Sequence, residues 1–277
     1  MFHSEWRARI KQLREMGSRV GPRGLATREL LDTKLVIDSR YCLLDVPARG
    51  LNYRFAVAEW LWMMFGRSDV ESLAQYNSVM RQFSDDGMFL TGAYGPHIGA
   101  QRDAILRLLR EQPDTRQAVI EIPRPRRATK DEPCTLSFQY LIREGYLHCL
   151  VTMRSNDIWL GTPYDIYTFS QIQNCFAGVL GVPRGFLSLR AGSNHLYESH
   201  LVAAEGALRE DPGTTLGSPD LPGLPPAWLE DVLVKRNAAS VPASYQSPAD
   251  QLDPWFPYAQ VLLSPTSDQA RDVLRRL

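Results

Sequence analysis

The sequence predicts one domain of mixed helices and strands, and three observations predict it. Short apolar runs bounded by turn residues alternate along the chain with stretches of helical spacing. At 277 residues the chain can bury a substantial core without a disulfide staple. No internal repeat and no second domain stands out between residues 1 and 277.

Taken in order, residues 4–16 carry Trp6, Ile10, Leu13 and Met16 at helical spacing among charged residues, which predicts a surface helix. A Gly-Pro-Arg-Gly turn at 21–24 leads into strands around Leu30–Ile37 and Tyr41–Val46. Ala56–Phe65 is apolar nearly all round and predicts a buried helix. Asp103–Arg110 predicts another helix, and Gln117–Ile122 a strand. Thr135–Arg143 and Tyr146–Met153 are strands joined by Glu144-Gly145, a hairpin signal. Ile166–Leu180 is a long apolar helix ended by Gly181. Phe186–Arg190 and Leu196–Val202 complete the recognisable core. Residues 211–226, rich in Pro, Gly, Ser and Thr, are expected as surface loop; the 211–277 tail keeps that character around Pro242–Pro257 and closes in a short basic helix.

Composition narrows the function classes. Lys plus Arg equals Asp plus Glu at 31 each, so no global field draws the chain to nucleic acid or to a membrane, and any anion must be held by a local arginine cluster. Cys42, Cys134, Cys149 and Cys175 form no CxxC pair, which argues against a metal site and for free thiols in a reducing cytoplasm. The N-terminus lacks a signal-like apolar stretch, and the run around Ala56–Phe65 is too short to span a bilayer, so a cytoplasmic protein is expected.

Reactive residue types concentrate between 132 and 165. Cys134 follows a proline at the mouth of a strand; it is either a small buried apolar residue or a nucleophile. Arg154 and Ser155 offer donors that suit phosphate, and the arginine is expected to lower the thiol pKa. Asp165 stands ahead of a helix and is either a cap or a base reader. His195 and Tyr197, two apart, face one way on a strand, as a sugar-binding pair or a satisfied pair at a sheet edge. Glu59 lies in an apolar helix, where an ionised carboxylate is costly unless paired or functional.

Together and in this order these residues resemble thymidylate synthase and its relatives the pyrimidine hydroxymethylases. The family's Pro-Cys nucleophile followed by Phe-Gln stands as Pro133-Cys134 with Phe138-Gln139; its Arg-Ser-x-Asp as Arg154-Ser155-Asn156-Asp157; its Leu-Gly-x-Pro as Leu160-Gly161-Thr162-Pro163; its His-x-Tyr as His195-Leu196-Tyr197. Glu59-Trp-Leu-Trp62, Tyr94-Gly95 and Asp114-Thr-Arg116 match earlier motifs, and Arg23, with Arg19 close by, stands where the family has an N-terminal phosphate-binding arginine. The resemblance covers about residues 20–205. It implies an α+β fold with a large mixed sheet covered by helices, and a homodimer with the sheets back to back. It also implies 5,10-methylenetetrahydrofolate as cosubstrate, a pyrimidine nucleoside monophosphate as acceptor, and no metal. Implied roles are catalysis by Cys134, Glu59, Tyr94 and Asp165, and phosphate binding by Arg23, Arg154, Ser155 and, across the dimer, Arg116. Gln139 and Asp165 would contact the base, His195 and Tyr197 the sugar, and Asp157 the folate.

Departures from the family point to a subclass. The synthases carry asparagine where Asp165 stands; an amide suits uracil, whereas a carboxylate accepts from the N4 amino group of cytosine. Met80 and Phe83 replace family tryptophans, Gln117 replaces the second arginine of an Arg-Arg pair, and the Val-Leu-Arg-Arg-Leu end lacks the family's apolar lid. These features are similar to a cytidylate 5-hydroxymethylase acting on CMP or dCMP, of the kind that serves nucleoside-antibiotic pathways. Alternatives are a methylase or hydroxymethylase of a uracil nucleotide with protonated Asp165, and an inactive nucleotide-binding regulator. RNA binding through arginines fits poorly with zero net charge.

Overall fold

The computed structural model describes residues 1–125, 128–209, 213–242 and 253–277. The chain opens with α1 (Phe2–Met16), whose buried Phe2, Trp6, Ile10 and Leu13 make one apolar stripe, while Met16 is exposed. β1 (Ser18–Val20), β2 (Thr27–Asp38), β3 (Tyr41–Asp45), α2 (Tyr53–Met64), α3 (Val70–Ala74) and α4 (Gly95–Glu111) follow. Next come β4 (Val119–Glu121), β5 (Thr135–Arg143), β6 (Tyr146–Asp157), α5 (Thr162–Leu180) and β7 (Arg184–Tyr197). α6 (Leu201–Arg209), β8 (Thr214–Gly217), α7 (Ala227–Lys235), α8 (Phe256–Leu263) and α9 (Ser267–Leu274) complete it.

Six strands form a mixed sheet in the order β1-β2-β7-β6-β5-β4, and only the β6–β7 pairing is parallel. A parallel pair needs a crossover, and α5 supplies it, packing on β6, β7 and α2. The helix stops at Gly181, whose φ of 68° is the left-handed cap conformation that glycine adopts without strain. Glu144 and Gly145, at φ 53° and 78°, form the tight turn between β5 and β6.

The burial phase of the three central strands slips along one line. Asp32, Gly192 and Arg154 are opposite one another, because Leu31 and Thr33 pair with Ser193 and Ala191, which pair in turn with Ser155 and Met153. Before this line Met153 and Ala191 point into the core; beyond it the buried residues are Asn156, Asn194 and Leu196, three or more positions on instead of two. Asp32 adopts φ 51°, and a Cβ on Gly192 would lie 3.2 Å from the Arg154 carbonyl oxygen, so the slip is built into the backbone. Its effect is to turn Ser155, Ser193, His195, Tyr197, Thr27 and Glu29 toward one cavity.

Several sequence expectations need correction. α4 begins at Gly95 rather than Asp103, because Pro96 lies in the first turn, where its missing N–H costs nothing. The core segment Leu196–Val202 is divided between two elements: β7 runs unbroken from Arg184 to Tyr197, and Leu201 starts α6, a segment rich in helix-forming Ala and Leu. Within the expected 211–226 loop, β8 pairs with β3 to make a second, two-stranded sheet. The tail is helical as well as looped. α7 and α8 bury Leu229, Leu233, Tyr258 and Leu262, and Trp60 of α2 meets Tyr258 edge-on with ring centroids 5.0 Å apart. Residues 243–252, most of the proline-rich stretch, lie outside the described residues.

Glycine substitutions test this packing. A Cβ on Gly178 of α5 would come within 2.1 Å of the Leu221 carbonyl oxygen, so Gly178→Ala should destabilise by about 1–3 kcal/mol in chemical denaturation. Gly206→Ala, in α6 with open space around it, should instead stabilise by about 0.5–1 kcal/mol.

Candidate active site

Two cavities share Glu132 in their walls. The inner one, about 140 Å³, is lined by Glu59, Trp62 and Met63 of α2, Tyr94 at the start of α4, Cys134 ahead of β5 and Asp165 of α5, with Met80, Leu90, Asp131 and Pro133. The outer one, about 450 Å³, is lined by Arg23, Arg124, Arg154, Ser155, His195 and Tyr197, with Thr27, Glu29 and Ser193. The smaller cavity combines carboxyls with apolar wall; the larger one carries three guanidinium groups.

The Cys134 segment is held from both sides. Arg154 donates from Nε to the Pro133 carbonyl and from Nη2 to the Glu132 carbonyl, both at 2.8 Å, and its backbone N–H donates to the Cys134 carbonyl at 2.8 Å. Across the cavity the Tyr94 hydroxyl oxygen accepts from the Thr135 N–H at 3.2 Å. Arg154 therefore clasps the loop with part of its guanidinium while facing the outer cavity. Burial raises the Cys134 thiol pKa and outweighs the lowering by Arg154, with Asp165 and Asp131 adding to the rise. The expected net lowering by arginine is thus reversed in the ligand-free chain.

Both inner carboxylates are pushed upward. Burial takes Glu59 to about 8, helped by the charge of Asp165 and opposed by a 3.5 Å hydrogen bond from Thr168. Burial takes Asp165 to about 7, helped by Asp157 and opposed by Asn156, whose Nδ2 donates to Asp165 Oδ2 at 2.8 Å. Asp165 is not the helix cap; that position is Gly161. Tyr94 is raised by burial and by the nearby Cys134 and Asp165, so its phenol keeps its proton. A thiol, a phenol and two carboxyls of near-neutral pKa in one small cavity can add a nucleophile and move protons at neutral pH.

In the outer cavity Arg23 holds a left-handed conformation, φ 53° and ψ 30°, rare for a side-chain-bearing residue and common where function fixes geometry. Arg19 is exposed and paired with Glu198 at 3.2 Å, so of the two arginines it is Arg23 that lines the cavity. His195 and Tyr197 have ring centroids 5.2 Å apart, and Ser155 Oγ lies 3.5 Å from His195 Nδ1. Burial lowers the His195 pKa, which favours the neutral imidazole, a hydrogen-bonding group for a hydroxyl.

Three expected site residues line neither cavity. Gln139 donates from Nε2 to the Arg116 carbonyl at 2.9 Å, and the Arg116 side chain is exposed. Asp157 uses Oδ1 to accept from the N–H groups of Trp159 and Leu160, and its Oδ2 is buried without a partner. Sequence reasoning in turn passed over Arg124, Glu132, Asp131 and Asn156. Arg124 could have been found in the Pro-Arg-Pro-Arg-Arg run at 123–127, and Asn156 stands inside the Arg-Ser-Asn-Asp motif. Nothing local marks Asp131, whose half-buried carboxylate accepts from the Gly92 N–H at 2.9 Å.

Residues 6–221 match the thymidylate synthase family. Deoxyuridylate hydroxymethyltransferase of Bacillus phage SP01 is 37% identical over 173 residues, covering 55% of this chain and 45% of that protein. The enzyme of the same name from Pseudomonas phage M6 is 35% identical over 185 residues, covering 62% and 53%. The chain thus spans about half the length of these curated relatives. Among solved structures, the thermostable thymidylate synthase A from Bacillus subtilis superposes with a TM-score of 0.71 at 21% identity, over 81% of this chain and 91% of that one, so the fold is shared.

The raised carboxyl pKa values carry a stability signature. A group whose folded pKa exceeds its unfolded value contributes stability that is whole below the unfolded pKa and lost as pH rises through the folded one. For Asp165 that loss runs from its ordinary 3.8 up to about 7, and for Glu59 from 4.5 up to about 8. Glu59→Gln and Asp165→Asn should therefore raise the Tm of the ligand-free protein at pH 8.5 relative to wild type. Each kcal/mol recovered is about 2–4 °C, and the advantage should vanish near pH 4.

Proposed function

Because the chain belongs to the thymidylate synthase family, we propose that it is a cytidylate 5-hydroxymethylase acting on CMP or dCMP. The observation that carries the base assignment is Asp165, a carboxyl in the wall of the cavity that holds Cys134. Ionised, it accepts from the cytosine N4 amino group and favours the N3-protonated adduct.

In this reading the nucleotide lies across both cavities, with its phosphate among Arg23, Arg154 and Ser155, its sugar against His195 and Tyr197, and its base over Cys134. The Cys134 sulfur bonds to C6, the C5–C6 π pair moves to C5, and C5 becomes the nucleophile. 5,10-methylenetetrahydrofolate supplies a one-carbon unit at the oxidation level of formaldehyde. Glu59, with its pKa near 8, takes part in removing the C5 proton, and Tyr94 steadies the Cys134 loop. C5 bonds to the folate's one-carbon unit, loss of the C5 proton expels the folate nitrogen from it, and water adds to the resulting exocyclic methylene as the C6–S bond breaks. No carbon is reduced, so the folate leaves as tetrahydrofolate. Asp157 is assigned to the folate by the family's Arg-Ser-x-Asp pattern, and Trp62, Met63 and Met80 supply apolar wall.

A second reading has its own support. Both phage relatives are named for deoxyuridylate, and an Asp165 with a pKa of about 7 is partly protonated at neutral pH, a form that donates to a uracil carbonyl. The two readings titrate oppositely: activity on cytidylate falls as pH drops through about 7, whereas activity on uridylate falls as pH rises through it.

A homodimer completes the proposal. Arg116 is exposed and outside its own cavities, and Val36 and Phe186, 44% and 40% exposed, stand on the sheet face opposite buried Leu35 and Leu187. Back-to-back sheets would cover that face and carry Arg116 to the partner's phosphate.

Incubation with methylenetetrahydrofolate and each of CMP, dCMP, UMP and dUMP should give a 5-hydroxymethylcytosine nucleotide with stoichiometric tetrahydrofolate; dihydrofolate would return the protein to the methylases. Cys134→Ser should abolish turnover and C5 hydrogen exchange, while Asp165→Asn should lose most activity on the cytosine nucleotide and gain some on the uracil one. Retained exchange in Cys134→Ser would remove the covalent mechanism.

Arg116→Ala should weaken nucleotide binding by roughly 1.5–3 kcal/mol, the range for hydrogen bonds to charged groups. Mixing Arg116→Ala with Cys134→Ser should restore one working site per dimer. If demonstrated subunit exchange brings no recovery, the trans assignment fails.

A further inference from the structure

Asp165 does not stand alone behind the cavity; a buried chain of three side chains fixes which of its oxygens can read a ligand. Asn194 on β7 and Asn156 on β6 are register partners, both 3% exposed, and Thr162 at the start of α5 is 1% exposed. The orientation of each amide follows from its neighbour. Asn194 Nδ2 lies 3.0 Å from the Asn156 backbone carbonyl, which can only accept, so that atom must be the amide nitrogen. The same nitrogen lies 3.1 Å from the Asn156 side chain, so the atom it meets there must be Oδ1. The Thr162 hydroxyl donates to that Oδ1 at 2.5 Å. Asn156 Nδ2 is left facing Asp165 Oδ2 at 2.8 Å, with no freedom to flip.

We propose that Asn156 is a specificity-determining positioning residue: by occupying Asp165 Oδ2 as a donor, it leaves Oδ1 alone to read the group on pyrimidine C4. Oδ2 also lies close to Gly161, where an added Cβ would come within 3.2 Å of it. Among the described residues Oδ1 receives no hydrogen bond, and Asp165 lines the inner cavity. A carboxylate whose second oxygen is held by a fixed N–H is favoured in its ionised, all-acceptor state, the state that pairs with an amino group. Without Asn156, Oδ2 would be buried and unpaired, the carboxyl would hold its proton to higher pH, and its preference would shift from amino toward carbonyl. Burial and the charge of Asp157 raise the Asp165 pKa and the Asn156 hydrogen bond lowers it, while Glu59, Cys134 and Tyr94, whose own pKa values Asp165 raises, face it across the cavity.

This inference rests on the base-reading role of Asp165, and the test separates the two. Wild type, Asp165→Asn, Asn156→Ala and Thr162→Val are compared by kcat/KM on CMP, dCMP, UMP and dUMP from pH 5.5 to 9, with thermal melts confirming the fold. A wild type without preference for cytosine, or a preference that Asp165→Asn leaves intact, overturns the cytidylate reading itself. If that reading stands, Asn156→Ala should lower the cytosine-to-uracil ratio by at least about tenfold, as mispaired polar groups in a recognition site do. It should also move the acid limb for the cytosine substrate to higher pH. Thr162→Val, which keeps Asn156 but frees its amide, should produce the same changes in smaller measure. Equal losses on both bases, or an acid limb that stays at the wild-type pH, would reduce Asn156 to a packing role and overturn the inference.

Discussion

The site depends on one backbone constraint, the one-residue slip that crosses β2, β7 and β6 at Asp32, Gly192 and Arg154. A strand that alternates strictly sends every second side chain into the core, so one face cannot serve packing at one end and recognition at the other. The slip changes sides. Below it Val151, Met153, Leu189 and Ala191 pack against α5; beyond it Ser155, Ser193, His195 and Tyr197 turn to the arginine-lined cavity, and Asn156 and Asn194 take the buried side beneath α5's first turn. Arg154, at the line itself, can therefore touch both the Cys134 loop and the cavity.

Desolvation is the second organising influence, and it acts against charge throughout the inner cavity. Burial is the largest cause of the upward shift at Cys134, Glu59, Asp165 and Tyr94 alike. A fully ionised set of these groups would be costly in so small a space. The chain compensates locally: Arg154 opposes the rise at Cys134, Thr168 at Glu59 and Asn156 at Asp165. The result is two carboxyls, Glu59 and Asp165, poised near neutrality beside a thiol and a phenol that burial holds in their protonated forms.

Much of this was legible in the sequence. The turn at Glu144-Gly145 and the cap at Gly181 are local chemistry, since left-handed φ values select their residues, and they appear where expected. Glu59, Tyr94, Cys134 and Asp165 were singled out by residue type and order, and the fold brings all four to one cavity; Arg23, Arg154, Ser155, His195 and Tyr197 share the other. The tail was less legible. Its proline-rich composition reads as loop, yet α7 and α8 are held by non-local burial of Leu229, Leu233, Tyr258 and Leu262 against α2.

What the sequence determined by itself was the inventory: most of the central strands and helices, which residue types can carry nucleophilic and acid–base chemistry, and that anion binding must be local in a chain of zero net charge. Those properties belong to single residues and their near neighbours. The tertiary structure alone decided the sign of the Cys134 shift, the use of Arg154 as a clasp, the separation of Gln139, Arg116 and Asp157 from the cavities, and the fixed amide of Asn156. Each of these is a balance between desolvation and contacts made across dozens of residues, and no local spacing encodes which side of that balance prevails.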